Sequence, residues 1–541
     1  MTGLSRRGLI TGAAAAGSAL TLPMTSTGAA AAESGPAGPA AALPESVQVF
    51  RNDPRYPGLV SGANQRWVGR PDYIRIVSST AQVVAAVQEA VDKRLRVAVR
   101  SGGHCNEPFV SDQDVRVVID MSQMADISYD KRHRAIAVEP GAMLGSVYRT
   151  LYKRWGVVLP GGTCPTVGAG GHITGGGYGA LSRSRGLTVD HLYGVEVVTV
   201  SADGKARAVI ATREPDDPNR DLWWAHTGAG GGNFGVITRY WLRSPDATGS
   251  EPAQLLPQAP TEVLLSDVSW SWQDLDEKSF SRLVRNFDAW HARNAGPDSP
   301  GRFLYSQLKL QHRSAGTFHM CTQVDTAAPD AEALLDEFLA AVSAGTGVTY
   351  QVGDRARTPW MYAVTQWFGF VEAAVSRWKA KAAYVRKPMP DDQIAAMHRH
   401  LTRTDYDNPT ALVNLISYGG RINAVAPDAT AVAQRDSHIK ILYVSLWTGV
   451  GDGDTARHEK WVRDCFADVY AATGGVPRPD GVNDGCYINY ADADMADPEL
   501  NRSGIPWHRL YFKDNYPRLQ RVKAAWDPRD VFHHALSVRK P

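Results

Sequence analysis

The chain has 541 residues, with 58 Lys and Arg against 56 Asp and Glu and a formal net charge of +2. That length exceeds what one hydrophobic core serves, so two or more domains are expected, and the near balance of charge gives no support to a nucleic acid or an anionic surface as partner. Five cysteines (Cys105, Cys164, Cys321, Cys465 and Cys486) have neither the number nor the spacing of a zinc site or a disulfide framework, though one disulfide is allowed.

The N-terminal stretch SRRGLITGAAAAGSALTLP carries Arg6-Arg7, a mild apolar segment and an Ala-rich run ending near Ala30–Ala32. This is the order of an export signal, and the paired arginines make it twin-arginine in type. The apolar segment is too short and weak to span a membrane. An exported protein, extracellular or in the cell envelope and free of the membrane once the signal is removed, is the expectation. Residues 33–44, ESGPAGPAAALP, read as a flexible linker.

From Arg70 short strands alternate with helices. PDYIRIV is a strand, and Ser79-Thr80 caps a helix over TAQVVAAVQEAVDKR. LRVAVR, VRVVIDMS and RAIAVEPG are strands, and MLGSVYRTLYKRWG is a helix stopped by Gly156. This pattern predicts an α/β domain. Residues 159–186 follow, LPGGTCPTVGAGGHITGGGYGALSRSRG, with ten glycines and no period. Apolar strands flank the block, so a structured loop around a ligand is expected rather than disorder. A second glycine-rich turn, in DLWWAHTGAGGGNFGVITRYWLRS (221–244), leads into a strand. From about Asp246 the glycine clusters thin out. RFLYSQLKLQ, ALVNLISYGGRIN and HIKILYVSLW alternate with helices such as DAEALLDEFLAAVSA, which predicts a second domain on an antiparallel sheet. No internal repeat is visible.

None of the glycine clusters is a dinucleotide fingerprint, because TGAGGGNFG precedes a strand instead of opening a helix. A G-x-x-x-x-G-K-[ST] loop is absent. Successive backbone N–H groups at Arg100-Ser101-Gly102-Gly103 can instead form an anion nest. The same turn ends in His104, which read alone is a hydrogen-bonded loop histidine, a base or an attachment point. Cys164 read alone is a small buried residue. No metal site is expected.

Five motifs occur in order: R-S-G-G-H, P-G-G-x-C-P-T-V-G-x-G-G-H-x-x-G-G-G-Y-G, G-G-G-N-F-G-V-I-T, Y-x-N-Y-x-D and the terminal D-P-x-x-V-F-H. Over residues 45–541 the chain resembles the berberine bridge enzyme-like FAD-linked oxidases of the vanillyl-alcohol oxidase superfamily, and among them the secreted antibiotic-tailoring bacterial members. The resemblance implies a two-domain α+β fold, with an FAD-binding lobe and a substrate lobe whose antiparallel sheet is covered by helices. The expected parts are residues 1–44 (signal and linker), 45–247 (FAD-binding), 248–484 (substrate-binding) and 485–541 (a segment returning to the FAD-binding part).

It also implies FAD bound twice, through His104 to the flavin 8α-methyl carbon and through Cys164 to C6. A neutral imidazole and a thiolate are both competent nucleophiles. Arg100, Ser101, Gly102 and Gly103, then Val167, Gly168, Gly171, His172 and Gly175, then Gly235, Val236, Ile237, Asn489 and Tyr490 are the implied cofactor contacts. Val167 stands at a gate where a small residue admits O2. Tyr490 is the implied base, with Tyr418 and Tyr178 as further catalytic candidates, Tyr487 as a pocket wall and Asp492 as a residue orienting Tyr490 or binding the loop. Asn414 lies four residues before Tyr418, which in a strand sets both on one face of the pocket. The resemblance aligns Asn414 with a carboxylate of an antibiotic-tailoring member, so asparagine here puts a second reaction in doubt. The implied reaction is oxidation of a sugar-type hydroxyl or hemiacetal of a glycosylated natural product, with O2 reduced to H2O2. The alternatives are a free oligosaccharide oxidase acting at the anomeric carbon, and a non-catalytic flavin-binding protein. Oxidative C–C bond formation would need a carboxylate base, and the matching strand ILYVSLW has none. The substrate and the oligomeric state are not legible.

Overall fold

The computed structural model describes residues 45–367, 376–449 and 451–541; the segment read above as an export signal and linker lies outside them. Helix Thr80–Asp92 starts where expected, with Ser79 Oγ accepting the Gln82 N–H at 3.3 Å. Its apolar stripe packs on a four-stranded sheet ordered Val47–Phe50, Tyr73–Ile76, Val117–Asp120 and Val97–Arg100. The last three are parallel, as a strand–helix–strand crossover requires. A five-stranded antiparallel sheet follows: Ile127–Asp130, Ala135–Val138, Val236–Leu242, Leu192–Val200 and Ala206–Thr212. Helix Leu144–Trp155 stops at Gly156, whose φ of 68° is left-handed.

The larger sheet has seven antiparallel strands in the order Gln351–Pro359, Glu262–Ser271, Thr317–Asp325, Leu304–Gln311, Leu412–Ser417, Ile439–Trp447 and Arg377–Val385. Helices Glu277–Arg293, Ala331–Ser343, Asp391–Thr402 and Asp452–Val469 pack together on one face. Period two separates the faces. Leu308, Leu310, Val413, Leu415, Ile441 and Tyr443 are buried on the helical side. Tyr305, Gln307, Lys309, Asn414, Lys440 and Leu442 point the other way, into a cavity. The fold class read from the sequence is the one observed. Strand Gln351–Pro359, QVGDRARTP, has no apolar alternation to announce it. It is an exposed edge strand, held by main-chain pairing to Glu262–Ser271 and by Arg355 and Arg357 on Glu332 and Asp336.

Strand Arg377–Val385 joins three distant parts of the chain. Asn64 Oδ1 accepts the Trp378 N–H at 3.2 Å, and Trp378 Nε1 donates to Asn106 Oδ1 at 2.9 Å. Lys379 Nζ then meets Glu107 at 3.1 Å, Asp492 at 2.6 Å and Asp494 at 3.2 Å. Lys381 Nζ meets the same two aspartates at 2.6 and 2.8 Å. Arg463 bridges Asp494 to Glu459, which binds Arg66. The cluster holds as many cations as carboxylates, and Lys379 is 1% exposed.

Removing one member of such a buried network leaves the others without compensation, at about 3–5 kcal/mol. Lys379→Met should therefore shift the denaturant midpoint strongly, whereas Lys460→Met, which breaks the exposed pair with Asp464, should leave it in place. Equal midpoints for the two variants would show that the junction does not hold the lobes together.

Candidate active site

A cavity of about 790 Å³ runs between the two lobes, within the size range of cofactor pockets. One end is the turn after strand Val97–Arg100. A side chain at Gly102 would collide with Gly168 N at 2.3 Å, so the turn and the glycine-rich loop touch backbone to backbone. Gly103 has a φ of 73°, which only glycine adopts freely. The N–H groups of Gly102 and Gly103 have no backbone acceptor among the described residues, and both residues line the cavity. This is the nest anticipated from the sequence. Arg100 and Ser101 also line it, but their side chains serve the turn. Arg100 Nη1 donates to Leu59 O at 2.5 Å and Ser101 Oγ to Pro140 O at 2.6 Å.

The two expected attachment residues meet. His104 Nε2 lies 3.1 Å from Thr166 Oγ1, and Cys164 Sγ lies 3.3 Å from the same oxygen. Burial pushes the His104 imidazole down to about 4, only partly opposed by Thr166, so the ring is neutral at physiological pH. The loop is braced from behind. Tyr148 donates to Gly162 O at 2.6 Å, and Gly162 N–H donates to His172 Nε2 at 3.0 Å. Val167, Gly168, Gly171 and His172 line the cavity, as do Gly235, Val236, Ile237 and Asn489. A side chain at Gly171 would meet nothing within 4 Å. Gly175 differs from expectation. It does not line the cavity, because Asn489 Oδ1 would lie 1.9 Å from any Cβ there. An elongated cavity with free amides at one end and two nucleophiles along its wall fits FAD.

Six tyrosines cluster at the other end. Lys440 Nζ sits 4.1 Å from the Tyr178 ring centroid, 4.4 Å from Tyr487 and 4.7 Å from Tyr490. No carboxylate lies within ion-pair distance of Lys440 among the described residues, and burial holds its ammonium well below the usual lysine range. Tyr178 donates to Ser417 O, and Tyr418 donates to Gln434 O at 3.2 Å. Burial raises both phenols. Strand Leu412–Ser417 ends one residue before Tyr418, and of the two residues only Asn414 reaches the cavity. Tyr178 packs over Tyr418 at 5.3 Å between ring centroids, leaving Tyr418 fully buried. Tyr490 lines the cavity, and its hydroxyl has no hydrogen-bond partner among the described residues. Burial pushes it up to about 12, with Cys164 nearby. Asn489 Nδ2 ties Tyr487 OH (3.0 Å) to His172 O (2.9 Å). Asp492 turns away from Tyr490 towards Lys379 and Lys381.

Sequence reading missed Lys440, Thr166, Tyr305 and Tyr384. Lys440 had a signal: a lysine flanked on both sides by isoleucine in the largely apolar run HIKILYV. Tyr384 joins the cluster only through the sheet, 4.9 Å from Tyr418.

Beyond the tyrosines the cavity has unlike walls. Gln307, Lys309 and Gln311 line one side, with Asn414 Nδ2 donating to Gln307 Oε1 at 3.0 Å. The Asn414 Oδ1 atom is buried and unpartnered. Leu442, Val444, Leu446 and Trp378 line the other side. Glu107 is the one acidic residue of the lining among the described residues, and Lys379 holds it.

Comparison with known proteins agrees with this geometry. An FAD binding domain family model matches residues 71–209, and a berberine and berberine-like model matches residues 486–539. The chain is 49% identical to aclacinomycin-N/aclacinomycin-A oxidase of Streptomyces galilaeus, over 99% of this chain and 98% of that protein. It is 33% identical to hexose oxidase of Chondrus crispus, over 90% of this chain and 93% of that protein. The solved structure of a glycopeptide hexose oxidase complexed with teicoplanin superposes with a TM-score of 0.88 at 50% identity, over 92% of this chain and 100% of that one. The chain belongs to the berberine bridge enzyme-like family and is an FAD-dependent oxidoreductase.

Burial pushes His172, His226 and His534 down to about 4, against about 6.5 when unfolded. The unfolded chain therefore binds more protons between about pH 6.5 and 4, and stability falls with pH at about 1.4 kcal/mol per unit for each group. Asp484, pushed up to about 6 by burial, acts in the opposite sense and offsets one of them. Melting temperature should drop steadily from pH 7 to pH 5. A flat profile would mean that these histidines are charged in the fold.

Proposed function

We propose that the protein is an exported oxidase with FAD bound to both His104 and Cys164, acting on a sugar-type hydroxyl or hemiacetal of a glycosylated natural product. Residues 45–247 and 485–541 form the cofactor lobe and 248–484 the substrate lobe. Export rests on Arg6-Arg7. The observation that carries the catalytic reading is the uncommitted Tyr490 hydroxyl beside the buried Lys440.

The cofactor when bound accepts hydride at N5 and passes the electrons to O2, giving H2O2. The chain supplies the proton chemistry. Tyr490 takes the substrate hydroxyl proton as the C–H bond breaks. A phenol raised by burial needs a partner to take its own proton, and the Lys440 amine, pressed by burial towards its neutral form, is that partner. Lys440 and Tyr490 act as one coupled acid–base pair. Tyr178 and Tyr418, committed as donors to backbone carbonyls, position Lys440 and Tyr490 rather than accept the proton themselves. Val167 lines the O2 approach. His104 and Cys164 would hold the flavin, each new bond replacing one flavin C–H and one N–H or S–H, with the hydrogen pair passing to O2 as H2O2.

The unlike walls support an amphipathic substrate. A sugar meets Gln307, Lys309 and Gln311, and an apolar aglycone covers Leu442, Val444 and Leu446. A free oligosaccharide would leave that apolar wall wet. The similarity to an aclacinomycin oxidase and a glycopeptide hexose oxidase points the same way.

Acid-denatured protein should pellet yellow for the wild type and for His104→Ala and Cys164→Ala singly, and colourless for the double variant. Tyr490→Phe should keep its flavin and slow flavin reduction by glycoside substrates about 10²–10⁴-fold, with a smaller loss for Tyr418→Phe. A fully active Tyr490→Phe would remove the base assignment, and flavin released from wild type would remove the attachment.

A further inference from the structure

We infer that the substrate carries a carboxylate on its sugar part, and that Lys309 selects for it from the polar wall of the cavity. The inference rests on the glycoside reading proposed above and narrows the substrate class.

Lys309 projects into the cavity from strand Leu304–Gln311 together with Gln307 and Gln311, as period two requires. All three are only partly buried. No carboxylate lies within ion-pair distance of Lys309 among the described residues. Glu107, the acid of the lining, is held by Lys379 at 3.1 Å. Asp267, two strands away, faces His319 at 3.4 Å and the Cys321 thiol at 3.6 Å. The Cys321 thiol also lies beside Lys309, but burial raises it, so it is a neutral neighbour that leaves the ammonium charge uncancelled.

The amides beside Lys309 have committed their acceptors. Gln311 Oε1 accepts the His319 N–H at 3.2 Å. A backbone N–H only donates, so this contact fixes the amide and leaves Nε2 as its open donor. Gln307 Oε1 accepts from Asn414 Nδ2 at 3.0 Å, and the Asn414 Oδ1 atom is buried. Gln307, Lys309 and Gln311 therefore offer a cation and an amide donor but no open side-chain acceptor. A sugar hydroxyl needs both roles, whereas a carboxylate only accepts and gains a charge-assisted bond. The register places the apolar wall across the sheet, because Lys309 pairs with Asn414 and Asn414 with Leu442. An acid borne by the aglycone would lie over Leu442, Val444 and Leu446 without a counter-charge. The carboxylate therefore belongs to the sugar.

Three probes of similar size separate these cases: phenyl β-glucoside, phenyl β-glucuronide and 4-carboxyphenyl β-glucoside. Calorimetry on holoenzyme with its flavin held reduced and without O2 gives dissociation constants in the absence of turnover. Wild type should bind the glucuronide about tenfold or more tighter than the glucoside, as expected for a hydrogen bond to a charged group, and the preference should shrink as salt is raised. Lys309→Met and Lys309→Gln should each bring the ratio of the two constants near one, and Lys309→Arg should keep it. A purely structural Lys309 would change all three affinities alike and leave the ratio as in wild type, which would overturn the inference, as would equal constants for glucoside and glucuronide in wild type. A preference for 4-carboxyphenyl glucoside that is lost in Lys309→Met would overturn the placement of the acid on the sugar. Wild type that binds none of the three would overturn the glycoside reading and this inference with it.

Discussion

The structure hangs on a buried knot of charge. Lys379 reaches Glu107, three residues past His104, and Asp492, two residues past Tyr490. The turn that carries His104 and the turn that carries Tyr490 are thus referred to one ammonium group on strand Arg377–Val385. Burying so many ions costs desolvation, which close pairing recovers only with good geometry. The return is specificity of position. Neither turn belongs to a helix or long strand that would fix it, so without the junction each would be set by loop packing alone.

Once the lobes are locked, the space between them becomes a low-dielectric chamber, and the electrostatics of the site follow. His104 and His172 lose their affinity for protons, the phenols gain it, and Lys440 is pressed towards its neutral form. None of these groups titrates as it would in water.

The cavity itself is shaped by the absence of side chains. Loop 159–179 and the turn at Gly102 approach backbone to backbone, and that contact brings residues sixty positions apart to one threonine hydroxyl. The sheet then supplies the outer cavity, where alternation along neighbouring strands sets Gln307, Lys309 and Gln311 against Leu442, Val444 and Leu446.

The sequence by itself determined the α+β class and most strand and helix positions, because these are written in local periodicity, and it singled out His104 and Cys164, because each stands in a contiguous motif. The edge strand Gln351–Pro359 escaped, since main-chain pairing needs no side-chain pattern. Tyr178, Tyr418 and Tyr490 all lie in motifs, yet which hydroxyl stays free depends on where Ser417 O and Gln434 O fall, and only the folded chain sets those distances. Lys440 stood in plain view within an apolar strand, but its three tyrosine neighbours come from two other segments of the chain. Thr166 differs in kind: its neighbour Cys164 is local, while His104 arrives through a turn closed by glycine contacts. Tertiary structure decided these roles because reactivity depends on ångström-scale proximity and desolvation between residues far apart in the chain, and linear spacing encodes neither.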